Sequence, residues 1–163
     1  MTKKILYVDL DNTLVNFKSG IDRLSAADLR QYKEGYDDAP GIFGRMDPIE
    51  GALDAYRELA TLFDTYILST APWHNPSAWI DKLHWVQQHL GVDSTGPAYK
   101  RLILSHHKNL NRGDFLIDDR IANGAGEFEG ELVKFGSGEF PDWQSVRVHL
   151  RARAQECLPI SVT

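Results

Sequence analysis

Short apolar runs, separated by amphipathic and polar stretches, recur along these 163 residues. The first, Ile5-Leu6-Tyr7-Val8, is almost unbroken, as in a strand buried on both faces at the centre of a parallel sheet. Comparable runs stand at Tyr66-Ile67-Leu68, Leu102-Ile103-Leu104 and Phe115-Leu116-Ile117, and a fifth strand is predicted from Leu132 to Phe135. Helical spacing fills the intervals. Ala52, Leu53, Tyr56, Leu59, Ala60 and Phe63 share one face, and Trp79, Leu83, Val86 and Leu90 line a helix that stops at Gly91. Asn75-Pro76 reads as the N-cap and first turn of that second helix. A closing helix is predicted from near Asp142, with Trp143, Val146, Leu150, Ala154 and Cys157 on one side. Strands alternating with helices predict an α/β fold with a doubly wound parallel sheet.

Residues 18–48 interrupt this alternation. They are polar, with one weakly amphipathic segment (Ile21, Leu24, Leu29, Tyr32) ahead of the Pro- and Gly-rich DDAPGIFGRMDP. The expectation is a core domain made of 1–17 and 49–163, with 18–48 as a small, mainly helical insertion. Composition narrows the class. Hydrophobic residues make up 42% and charged residues 25%, as in ordinary soluble globular proteins. No apolar run approaches the roughly 20 residues of a membrane-spanning helix. Met1-Thr2-Lys3-Lys4 leads straight into the first strand without a signal-peptide pattern. Cys157 is the only cysteine, so a reducing cytoplasm is the expected location. A net charge of −5 argues against long nucleic acids as partners but not against a small anion held locally.

The chemistry concentrates where the strands end. Asp9 and Asp11 follow the first strand, two positions apart, so an extended chain would point both the same way. Open α/β sheets place ligands at that edge. Two close carboxylates repel, and a hard cation relieves them. Taken alone the pair is also compatible with a turn. Thr70 ends the second strand, Lys108 follows the third, and Asp118-Asp119 follow the fourth. Acids at the mouth of a buried strand are costly unless paired or bound to a cation. Asp9, Asp118 and Asp119 would offer the oxygen ligands that Mg²⁺ favours. Asp9 is suited to nucleophilic attack on phosphorus, Asp11 to general acid–base work, and Thr70 and Lys108 to a phosphoryl group.

This ordered set resembles the haloacid-dehalogenase (HAD) superfamily of aspartyl-phosphate phosphatases. Asp9-Leu10-Asp11-Asn12-Thr13 is similar to its first motif, Thr70 to its second, Lys108 to its third and Asp118-Asp119 to its fourth. LIDDR, STAP, APGIF…PIEGALDAYREL and KLHWVQQHLG resemble segments of the 5′(3′)-deoxyribonucleotidases. The resemblance implies a HAD-like, Rossmannoid core with residues 18–48 as its cap. It implies Asp9 as nucleophile and metal ligand, and Asp11 as acid/base with its backbone carbonyl on Mg²⁺. Asp119 would be the second carboxylate ligand, supported by Asp118. Thr70, the backbone at Ala71, Lys108 and Lys82 would hold the phosphate, and Phe17 and Phe43 would line the base pocket. Ala71 stands where the family more often has a second hydroxyl, which leaves only its N–H for phosphate.

The activity these readings imply is Mg²⁺-dependent hydrolysis of nucleoside monophosphates, deoxy-pyrimidine ones foremost. Another small phosphomonoester, such as a sugar phosphate, is the alternative substrate. A non-catalytic phosphate- or nucleotide-binding domain is the alternative from a different class. A phospho-receiver domain fits less well, because here the DxD opens the chain and the DD closes the set. The partner expected is a small phosphomonoester; a homodimer is one allowed assembly. His106-His107 are expected as solvated residues near the site, Trp73, Trp79 and Trp85 as packing residues, Arg151 and Arg153 as a solvated helix face, and Cys157 as a buried inert thiol.

Overall fold

The computed structural model describes residues 2–156, so Cys157 lies outside the described residues. Five parallel strands form the sheet: β1 (Ile5–Val8), β4 (Asp64–Ser69), β5 (Leu102–Leu104), β6 (Phe115–Asp118) and β7 (Glu131–Lys134), in the order β5-β4-β1-β6-β7. The most apolar run of the sequence is therefore the central strand. Its alternate side chains feed two separate cores. Leu6 and Val8 join Ile67, Phe115, Ile117 and Val133 against the helices, whereas Tyr7 joins Leu68, Leu116, Ala125 and Phe128 on the other side.

Three helices cover the first face: α3 (Ala52–Leu62), α4 (Pro76–Leu90) and α5 (Trp143–Gln155). The second face carries short connections with 3₁₀ turns at Lys108–Leu110 and Ala125–Glu127. Right-handed crossovers send those two connections to that side, and they are too short for a full helix. On α3, Ala52, Ala55, Tyr56 and Leu59 are buried, as the spacing predicts. Truncating a leucine such as Leu59 in such a position costs about 2–5 kcal/mol. Asp142 caps α5, its carboxylate accepting from the Ser145 N–H at 2.8 Å in a reciprocal capping box.

Helix α4 departs from expectation. Its buried line is Ala78, Lys82, Trp85, Val86 and Leu90, while Trp79 and Leu83 stand on the exposed flank. A lysine occupies the inward face, so the apolar residues alone trace a stripe rotated by about one position. Asn75 also differs, because its side chain makes no cap bond to α4. Trp73 is 77% exposed and does not pack in the core; Trp85 does.

The insertion leaves the core through a two-stranded antiparallel stem, β2 (Val15–Asn16) with β3 (Asp47–Pro48). Between the strands lie α1 (Phe17–Ile21), α2 (Ala26–Gln31) and 3₁₀ turns at Tyr36–Asp38 and Ile42–Arg45. Arg23 fastens α1 to the stem, donating to the Arg45 carbonyl at 2.6 Å and pairing with Asp47 at 2.7 Å. Among the described residues no helix is long and apolar enough to cross a membrane.

Candidate active site

Register places the acids. Val8 pairs with Ile117 on one side and Ile67 on the other. One residue further on, Asp9 leaves β1 beside Asp118 at the end of β6, both nearly fully buried. Asn12 adopts a left-handed conformation (φ 54°), which asparagine tolerates better than most residues. The chain folds back there, and the Leu10 carbonyl accepts from the N–H groups of Thr13, Leu14 and Val15. The acids are thus held on a hydrogen-bonded turn and not on a loose loop.

Lys108 answers the resulting repulsion. Its Nζ lies 2.9 Å from Asp9 Oδ1 and 2.5 Å from Asp118 Oδ2. Burial pulls its pKa down, but the two carboxylates outweigh that and hold it above the ordinary lysine value. The loop that carries Lys108 is itself pinned, since Lys108 N donates to the Asn123 carbonyl at 2.8 Å. Gly124 makes this close approach feasible: its φ is 81°, and a Cβ there would meet Asn109 Oδ1 at 2.2 Å. Asp118 Oδ1 accepts from the Arg120 N–H at 2.9 Å, so both Asp118 oxygens have protein partners.

Among the described residues, Asp9 Oδ2 and Asp119 Oδ1 have no hydrogen-bond partner although both atoms are buried; the nearest cation to Asp119 Oδ1 is Arg120 Nε at 3.7 Å. Asp9, Asp118 and Asp119 each present an oxygen within 4.8 Å of the others. Orphaned carboxylate oxygens converging in this way fit a hard divalent cation. Burial pushes the Asp118 carboxyl up to about 6, with the Asp9 charge adding to it, and raises Asp119 for the same two reasons.

Asp11 belongs to a second ion pair. Its Oδ2 accepts from Lys82 Nζ at 2.6 Å, and the same ammonium donates to Ser69 Oγ at 3.0 Å. Lys82, 2% exposed, also sits 4.4 Å from the centroid of the Phe43 ring. Burial raises the Asp11 pKa; Lys82 opposes this and Asp9 adds to it. An ammonium has three donors, so each lysine keeps one beyond the two bonds described. The Thr70 hydroxyl is engaged as well, donating to the Ser105 carbonyl at 2.7 Å. Ala71 is buried at the same turn.

A cavity of about 560 Å³ opens beside these groups; Asp11 and Thr70 line it, whereas Asp9, Ala71, Lys82, Lys108, Asp118 and Asp119 are not part of its lining. Asp11, Asn12, Thr70, Arg120 and Asn123 line its floor side, and Phe17 and Phe43 its wall, their ring centroids 5.8 Å apart. Tyr36, Asp37 and Asp38 line it as well, together with Pro72, Trp73, His74 and His106. The sequence reading missed most of this rim. His106 is expected near the site from the sequence; Trp73 and His74 follow the Thr70 strand end, so the strand-end rule could have found them, but tryptophans read as core. His106 packs beside Trp73 and Trp79, with ring centroids 5.9 and 6.1 Å away. A groove of similar volume, about 580 Å³, lies along the outer side of α4 and includes none of these acids.

Comparison with known proteins places the chain in a family. The family described as 5′ nucleotidase, deoxy (pyrimidine), cytosolic type C protein matches residues 30–156. The chain belongs to this deoxyribonucleotidase family. A protein of Vibrio phage KVP40, provisionally named 5′(3′)-deoxyribonucleotidase, is 57% identical over 91% of this chain and 85% of its own length. The human cytosolic-type 5′(3′)-deoxyribonucleotidase is 36% identical over 67% of this chain. The chain spans only 48% of the human protein and 50% of a Bordetella pertussis relative. Among solved structures, the HAD-hydrolase YfnB of Bacillus subtilis, bound to magnesium, superposes with a TM-score of 0.57 at 13% identity. The match covers 92% of this chain and 99% of that one. A haloacid-dehalogenase-like hydrolase of Xanthomonas campestris gives 0.55 at 12% identity, over 95% of this chain and 99% of that one. The fold is that of the HAD hydrolases, and the family is one of phosphoric monoester hydrolases.

Proposed function

We propose that the protein hydrolyses (deoxy)nucleoside monophosphates to nucleoside and phosphate through an aspartyl-phosphate at Asp9, with Mg²⁺ as cofactor and the cytoplasm as its location. The observation that carries this reading is the cluster of Asp9, Asp11, Asp118 and Asp119 with Lys108 and Lys82, beside a cavity lined by Asp11, Thr70, Phe17 and Phe43. The names of the phage and human relatives support the nucleotide as substrate.

Asp9, Asp119 and the Asp11 backbone carbonyl would hold the metal, and Asp118, bonded to Lys108 and Arg120 N, would steady the pair. When bound, Mg²⁺ supplies charge neutralisation to the acids and the phosphoryl oxygens. An Asp9 carboxylate oxygen attacks phosphorus as the P–O bond to the nucleoside breaks, and Asp11 passes its proton to the leaving oxygen. Its raised pKa suits that donation. Ionised Asp11 then takes a proton from water, whose oxygen attacks phosphorus. The P–O bond to Asp9 breaks, which releases phosphate and restores the carboxylate. Lys108 and Lys82 each turn a third donor toward the phosphoryl group. Thr70 reaches it by rotating its hydroxyl away from Ser105, beside the Ala71 N–H. Phe17 and Phe43 stack on the base.

The test is phosphate release from a panel of ribo- and deoxyribonucleoside monophosphates and sugar phosphates, with Mg²⁺ and with EDTA. Metal-dependent release favouring dUMP or dTMP is expected, with Asp9→Asn inactive. Release from sugar phosphates alone would remove the base pocket from the reading, and release from nothing by a folded protein would remove the enzyme.

A further inference from the structure

Asn75 looks like a helix cap in the sequence, yet its side chain makes no cap bond to the α4 backbone and is 1% exposed. Both its donors leave the core instead. Nδ2 donates to the Asp37 carbonyl at 2.8 Å and to the Ala39 carbonyl at 3.0 Å, both in the insertion. Its Oδ1 accepts from Ser77 Oγ at 2.8 Å, and Ser77 Oγ accepts in turn from the Gly41 N–H at 2.8 Å. Two side chains at the start of α4 thereby bind three backbone groups between residues 37 and 41. Every polar atom of the Asn75 amide is used, which is what a buried polar group requires.

The position of this cluster gives it meaning. On its core side, Asn75 lies five residues beyond Thr70, in the turn whose Pro72, Trp73 and His74 line the cavity. On its other side, it grips the segment whose Tyr36, Asp37 and Asp38 line the same cavity. No charged or apolar contact at this point could set that spacing as specifically, since bonds to carbonyls fix both distance and direction.

We infer that Asn75, with Ser77, is a positioning residue for substrate selection: it holds the Tyr36–Ala39 wall at a fixed distance from the phosphate-binding turn, so that the nucleoside meets a preformed pocket. The inference rests on the nucleotidase reading of this cavity. Asn75 itself touches neither substrate nor the reacting atoms. Its loss acts on the part of the substrate that reaches the wall and leaves the phosphoryl group where it was.

The experiment compares Asn75→Ala and Ser77→Ala with wild type on two substrates, dTMP and acetyl phosphate, which carries a phosphoryl group and no base. The expected result is a fall of about ten- to a hundredfold in kcat/KM for dTMP, the scale of a small misplacement of binding groups. The kcat/KM for acetyl phosphate should stay within about twofold of wild type, and the preference among dTMP, dUMP and the ribonucleotides should flatten. Ser77→Ala keeps the Asn75 donors, so it reports on the same wall should Asn75→Ala not fold. Equal losses on both substrates would mean a merely structural role, and unchanged selectivity in both variants would mean no role; either result overturns the inference alone. A wild type that cleaves acetyl phosphate but no nucleotide would overturn the nucleotidase reading and the inference with it.

Discussion

Lys108 and Lys82 pair with three of the four acids. Lys108 lies between Asp9 and Asp118, and Lys82 holds Asp11. Both ammonium groups are almost wholly buried. Removing one partner of a buried ion pair leaves an uncompensated charge, which costs about 3–5 kcal/mol. Lys108→Met should therefore destabilise the metal-free protein by about that amount in urea denaturation, because two buried carboxylates lose their common partner. Adding Asp118→Asn to Lys108→Met should recover part of the loss. Full stability in Lys108→Met would mean that the lysine does not serve as the counter-charge. On the chemical side, Asp11→Asn keeps the shape and most of the hydrogen bonding to Lys82 but has no proton to give a leaving alkoxide. A fall of about 10²–10⁴ in kcat/KM for dTMP is expected, measured by phosphate release. A loss under tenfold would exclude Asp11 as the acid.

The helices show where the sequence was legible and where it was not. Strand positions followed from apolar runs, and the polar cluster after each of the first four runs marked the edge where the candidate site lies, because a parallel sheet aligns its strand ends. Lys82 broke that legibility on α4: a buried lysine on the inward stripe made Trp79 and Leu83 look like the core face. Asn75-Pro76 has the form of a helix start, and only the bonds to Asp37 and Ala39 show that the amide serves the insertion. Arg151 and Arg153 read as a solvated face, yet Arg151 and Arg147 both bind Glu58 of α3, and Arg153 pairs with Glu131 at 3.2 Å. Cross-helix pairs leave no periodic signal. The hydrogen bond from Arg151, ahead of partial burial that opposes it and of Arg147, holds the Glu58 carboxyl below the ordinary glutamate value. A carboxylate with a depressed folded pKa contributes stability at pH values above its unfolded pKa and loses it as pH falls through the folded one. Glu58→Gln should thus lower Tm by about 2–4 °C at pH 7, the shift expected for roughly 1 kcal/mol in a domain of this size. The gap to wild type should close as the pH falls below about 4. A gap of the same size at pH 7 and pH 3 would show that packing, not charge, joins α3 to α5.

For the molecule as a whole, the site is a local excess of negative charge built into the best-packed part of the sheet. Four carboxylates, Asp9, Asp11, Asp118 and Asp119, face two lysines, which leaves two negative charges beside the exposed guanidinium of Arg120. Burial raises the pKa values of Asp11, Asp118 and Asp119, so ionising them in the folded protein costs free energy. A divalent cation held there would match that excess and would bind the folded chain, since the pairing of β1 with β6 brings Asp9 to Asp118. Folding and metal binding would then be linked: at a metal concentration 100 times Kd, the folded state would gain about 2.7 kcal/mol. Thermal denaturation with saturating Mg²⁺ should show a Tm higher than in EDTA by roughly 5–10 °C, with no substrate present. Asp119→Asn removes an acid whose Oδ1 has no hydrogen-bond partner among the described residues. It should bring the Tm in EDTA level with wild type or above it, because repulsion falls, while most of the Mg²⁺-dependent rise disappears. The two effects have opposite signs, so a general loss of folding cannot imitate the pattern. Equal melting with Mg²⁺ and with EDTA in the wild type would mean that the acids converge without holding a metal, and phosphoryl chemistry at Asp9 would then have to rely on Lys108 and Lys82 alone.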